Sequence, residues 1–152
     1  MQYRRVPIVR RNWQRGSAIV ELTLLVPLFL LMLLGTMDFA RVFYTALSVS
    51  HAARAGVQYG AQDNEKSKDY AGMQQAAQLA AQDIGALSTV TAGSYCQCAN
   101  GTKVDCITGT CTEGSPQIYV IVTAGKTFQT MWNYPGIPHA VALSRTAIMR
   151  VQ

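Results

Sequence analysis

Ser17-Ala18-Ile19-Val20-Glu21-Leu22-Thr23-Leu24-Leu25-Val26-Pro27-Leu28-Phe29-Leu30-Leu31-Met32-Leu33-Leu34-Gly35-Thr36-Met37 is the stretch on which the fold turns. As an α-helix these residues reach about 31 Å, matching a hydrocarbon core of about 30 Å, so the segment can cross a membrane. Glu21 is its one charged residue. A carboxylate costs about 2.5 to 3.5 kcal/mol at the centre of a span, so one that persists near the end of a span points to a partner or to the interface. Pro27 removes one helical hydrogen bond, and membrane helices tolerate such a kink. A secretory signal peptide is the structural rival, but its apolar region is about 7 to 15 residues long and ends at a small-residue cleavage site. The run here is longer, and Gly35-Thr36-Met37-Asp38 is a poor site of that kind.

The flanking charge sets a direction. Arg4, Arg5, Arg10, Arg11 and Arg15 precede the run, and beyond Gly16 basic and acidic residues balance, so the formal charge of +5 belongs wholly to the leader. Arginines on one side of a span hold that side in the cytoplasm, which makes the chain N-in and C-out. A basic excess confined to a membrane flank argues against nucleic acid as the partner, because no basic patch remains elsewhere. The 49% hydrophobic and 14% charged content fits a chain that is partly in lipid or densely assembled.

Past the span, Phe39, Val42, Phe43, Ala46, Leu47, Val49, Ala53 and Val57 recur at helical spacing, extending the helix to about Tyr59. Ala52, Ala53, Ala55, Gly56, Gly60 and Ala61 form a small-residue stretch that permits close packing. Asp38 and Arg41, three apart, suit a local helical ion pair. Asp63 to Asp69 is a charged loop, and Asp69 is the expected N-cap of a second helix that carries Met73, Ala76, Ala77, Leu79, Ala80, Ala81 and Ile84 and stops at Gly85. Thereafter β-formers dominate. Ser88 to Cys98, Gln117 to Thr123, Thr127 to Trp132 and Ala140 to Met149 read as strands, with a turn at Pro135-Gly136-Ile137-Pro138. The fold class is therefore α+β: a long N-terminal helix, a second helix and a small antiparallel sheet.

Cys96, Cys98, Cys106 and Cys111 fall in a Gly- and Thr-rich loop on the exported side, where two disulfides are expected. The spacing lacks the paired C-x2-C pattern of zinc ribbons. If the loop is the distal part of one hairpin, nested pairing of Cys98 with Cys106 and Cys96 with Cys111 preserves the antiparallel geometry. The crossed pairing stays open, while a bond between Cys96 and Cys98 is disfavoured by their proximity in the chain. No nucleophile, metalloprotease or phosphate-loop motif is present, and His51 and His139 read as a helix-face and a turn residue. An enzymatic role is not expected, nor is a cofactor.

Arg15-Gly16-Ser17-Ala18-Ile19-Val20-Glu21, followed by Pro27, by Gly35-Thr36-Met37-Asp38-Phe39-Ala40-Arg41 and by Ala52-Ala53-Arg54-Ala55-Gly56, resembles the TadE-like pseudopilins of tight-adherence pilus and secretion systems. The likeness covers residues 15 to 61. It implies a basic prepilin leader over residues 1–16 that a prepilin peptidase removes after Gly16, a membrane and assembly helix over 17–62, and an extracytoplasmic domain over 63–152. It also implies that the new amine of Ser17 meets Glu21 of a neighbouring subunit in the filament, as a structural pilin-like subunit in the bacterial inner membrane or a pilus. The alternative is a permanently anchored single-pass protein whose domain binds an extracytoplasmic partner.

Overall fold

The computed structural model describes residues 17–132, 136 and 138–152. The expected leader with Gly16, and most of the Pro135–Pro138 turn, lie outside these residues. Helix α1 runs Ser17–Gly60 and includes Pro27. Compact units divide at Met37 and Asp38, so the later turns of α1 fold with the rest of the chain.

That second unit is α+β. Helix α2, Tyr70–Ala80, starts at Asp69, whose carboxylate accepts the Gly72 N–H at 2.9 Å. This satisfies one of the free amides of the first turn, as N-capping requires. The expected single helix to Gly85 is interrupted. Ala81 leaves the helical conformation, and Gln82–Ile84 forms a separate 3-10 turn that stops at Gly85, where φ is 75°. Positive φ suits glycine, which has no Cβ to clash.

The sheet comprises β1 (Thr89–Gln97), β2 (Lys103–Val104), β3 (Gln117–Gln129) and β4 (Ala140–Arg150), in the order β2-β1-β3-β4, all antiparallel. Val120, Val122 and Ala124 alternate inward along β3, in line with the period of 2 that places them on one face. Against them pack Val49, Ala52, Ala53 and Val57 of α1 and Met73 and Ala77 of α2, all buried. Each fully buried Val or Met contributes about 1.5 to 3 kcal/mol. Small residues bring the backbones close: a Cβ at Gly56 would sit 3.0 Å from the Met73 carbonyl oxygen and 3.0 Å from Val122 Cγ1. The stretch Ala52 to Ala61 thus packs within its own subunit.

Thr127 to Gln129 is not a separate strand. It continues β3, which pairs without a break from Tyr119↔Arg150 to Gln129↔Ala140. Gly125 lies within this strand, and a Cβ there would collide with the Thr89 hydroxyl, so the glycine answers a close cross-strand approach.

Disulfide pairing is crossed, with Cys96–Cys106 and Cys98–Cys111 at Cα separations of 5.1 and 5.7 Å. The nested expectation assumed one long hairpin, and the chain makes two reversals instead. A tight turn follows Cys98, with its N–H donating to Thr102 O and Gly101 N–H donating to Cys98 O, and it returns the chain as β2. Cys96 lies opposite Val104, so Cys106 is the cysteine within its reach. At Asp105 the chain reverses again, the carboxylate accepting the N–H groups of Ile107 and Thr108 at 2.8 and 2.9 Å. Those bonds, Thr108 first, hold the Asp105 carboxyl below its ordinary range, and the reversal sends Cys111 back to Cys98.

Candidate functional site

Among the described residues no group of His, Cys, Asp or Glu is placed to hold a metal. His51 is exposed on α1, and His139 Nδ1 lies 2.9 Å from the Thr130 hydroxyl. The chemistry of the chain resides instead in its first helical unit.

From Ala18 to Met37 the helix is apolar on every side and covered by nothing: Ile19 is 67% exposed, Leu24 73% and Leu31 66%. A surface helix normally buries one apolar stripe and presents a polar face, whereas an apolar surface on all sides requires lipid or other helices around it. Its polar atoms are handled as a membrane demands. Thr23 Oγ1 donates to Ile19 O at 2.7 Å and Thr36 Oγ1 to Leu33 O at 2.9 Å, so neither hydroxyl needs water. Pro27 leaves the Thr23 carbonyl without its usual helical donor, one turn earlier.

Glu21 is the exception. Its side chain is exposed one turn after Ser17, the first residue of the helix, and no described residue pairs with it.

Residues 16–58 match the family described as TadE-like protein. The TadE-like segment starts at Gly16 and ends inside the small-residue stretch, so it carries Glu21, Pro27, Asp38 and Gly56 but none of the sheet. No curated protein and no solved structure matches the chain. The matched segment takes in most of the one described helix long and apolar enough to cross a membrane, which fits a single-pass membrane protein.

Where the TadE-like helix leaves its apolar run, the structure adds contacts that spacing alone did not reveal. Asp38 is only 6% exposed; it pairs with Arg41 at 3.1 Å, the ion pair expected from their spacing, and accepts the Met131 N–H at 3.2 Å. The Arg41 guanidinium also stacks over Phe128, 5.3 Å from the ring centre. Farther along, two phenols clasp α1 to the α2 region. Tyr44 and Ser48 both donate to Asp83 at 2.7 Å, and Tyr59 donates to Asp69 at 2.8 Å. Asp83 is held below the usual carboxylate range by the Ser48 hydroxyl first and the Tyr44 phenol second; Asp69 is lowered by the Gly72 amide and then by Tyr59. Both phenols are correspondingly raised, chiefly by the hydrogen bond to the carboxylate. Nothing in the sequence marked these partners, which are 39, 35 and 10 residues apart.

Proposed function

We propose that this chain is a pilin-like subunit of a Tad-type pilus or its assembly base, delivered to the inner membrane N-in and C-out and processed by a prepilin peptidase between Gly16 and Ser17. The observation that supports this reading best is the pairing of a helix apolar on all sides with a single exposed carboxylate one turn from Ser17. Lipid satisfies the apolar surface before assembly, and other subunits' helices satisfy it afterwards. Cleavage creates an ammonium at Ser17, which a neighbour's Glu21 can neutralise as the helices gather. Paired charges offset the desolvation that each alone would suffer in an apolar bundle.

Sequencing the N-terminus of the protein extracted from membranes tests the first step: Ser17 as the first residue supports processing, and an intact leader supports the permanent anchor. The second step is tested by Glu21→Gln, which keeps size and removes charge. The variant is expected to be cleaved normally and to accumulate in the membrane without entering sheared filaments. Wild-type incorporation would overturn the role given to Glu21.

A further inference from the structure

We infer that the chain touches the membrane at a second place just after β3, where Met131 and Trp132 enter the headgroup boundary of the leaflet from which the span emerges. The inference rests on the single-pass reading above. Asp38 directly follows Met37, the last residue of the apolar run, and the Met131 amide is 3.2 Å from the Asp38 carboxylate. That bond holds this point of the chain at the level of the helix where the apolar run ends. It is well protected, because Asp38 is nearly buried and braced by Arg41, which in turn covers Phe128 of β3.

At this level, the described residues present large, exposed apolar side chains. Met131 is 64% exposed, Trp132 60% and, on another face of the same level, Phe39 73%. A tryptophan there has a specific solvent preference, since its ring is apolar while its N–H needs a polar partner, and bilayer interfaces supply both. The backbone is not a burden to such contact: Thr130 N–H donates to His139 O at 3.0 Å and the Thr130 hydroxyl donates to Trp132 O at 2.8 Å. The opposite end of the sheet differs. There, Tyr95 stacks on Tyr119, with Lys103 over Tyr95 and Arg150 bonded to Gln117, a surface suited to water. β3 separates Tyr119 from Gln129 by about 34 Å at about 3.4 Å per residue, so Tyr119 is remote from Asp38 and its bond to Met131.

The chain has two tryptophans, Trp13 and Trp132. Full-length Trp13→Phe protein, in which Trp132 is the only tryptophan, would be reconstituted in vesicles of phosphatidylcholine with a minority of phosphatidylglycerol, with bromine placed either near the headgroup or near the chain end. We expect Trp132 fluorescence to fall about twofold with shallow bromine and much less with deep bromine, as an interfacial ring requires. Two further probes are placed in a Trp13→Phe, Trp132→Phe background: Phe29→Trp inside the span and Tyr119→Trp at the far end of the sheet. Phe29→Trp should be quenched by deep bromine, and Tyr119→Trp by neither. If the span probe is quenched and Trp132 is not, the second contact is overturned and the span stands. If the span probe is not quenched, both fall. Equal quenching of Trp132 and the Tyr119 probe would mean that the whole domain adheres, which also overturns the inference.

Discussion

Met73 is fully buried where α1, α2 and β3 meet, and the end of its side chain fills the space in front of Gly60. Met73→Ala removes Cγ, Sδ and Cε. The lost transfer energy is about 2 kcal/mol, and a residual cavity of about 60 Å3 adds about 1.4 kcal/mol at about 24 cal/mol per Å3. A total near 3.5 kcal/mol, in a unit of about 115 residues unfolding with about 2.1 cal/mol/K per residue, lowers Tm by about 14 °C. Gly60 makes the test specific. A Cβ there would lie 2.6 Å from Met73 Cε and 2.7 Å from Sδ, so Gly60→Ala alone should cost about 1 kcal/mol, overpacking outweighing the gain in helix propensity. In the Met73→Ala background those atoms are gone, and the same methyl should stabilise by about 1 kcal/mol, a coupling of about 2 kcal/mol. Thermal unfolding of the full chain in detergent micelles, followed by tyrosine near-UV circular dichroism, reads all four proteins. If Gly60→Ala has the same effect in both backgrounds within about 0.5 kcal/mol, the packing argument is wrong.

Non-reducing proteolysis with mass spectrometry should recover Cys96 linked to Cys106 and Cys98 linked to Cys111, and peptides with the nested pairs would refute the two-reversal account of the loop. Replacing Cys98 and Cys111 by serine should lower stability by up to about 3 kcal/mol, read by the same thermal unfolding. Asp69 and Asp83 have carboxyls lowered in the folded state, so their contribution is complete above the ordinary carboxyl pKa of about 4 and is lost as pH falls through their depressed values. Unfolding followed between neutral pH and about pH 3 should therefore be less acid-sensitive in Asp83→Asn, and an unchanged slope would count against the Tyr44–Asp83–Ser48 clasp. Gly72→Ala should destabilise despite better helix propensity, because the Cβ would lie 2.7 Å from Tyr59 Cζ and would also strike the Asp69 carboxylate; an increase in Tm would show that the cap has more room than the structure gives it.

What could be read in advance follows range of interaction. Helical periodicity from Phe39 to Val57, the Asp69 cap and the β-rich strand around Val120 are local signals, and the structure has α1, α2 and β3 there. The Asp38–Arg41 pair was legible because it closes within one helical turn. Failures lie where distant partners decide. Gly125 resembles a strand break until Thr89 is seen across from it. Two-residue β2 is too short to give periodicity, and without it the choice between nested and crossed disulfides stayed open. Of the candidate site, the apolar run and Glu21 were plain from composition, whereas the Met131–Asp38 bond spans 93 residues and had no local signature.

The crossed disulfides also bear on the order in which the sheet can assemble. β3 and β4 are joined by a short connection, but the pairing of Gln97 with Gln117 must close an excursion of about 20 residues. Once Cys98 and Cys111 are joined, the path between those strand ends shrinks to about seven residues, which reduces the entropy of closure by about 0.9 kcal/mol. Oxidation thus turns the slower of the two strand pairings into a nearly local event, and a reduced chain should build its β3–β4 hairpin first and add β1 late.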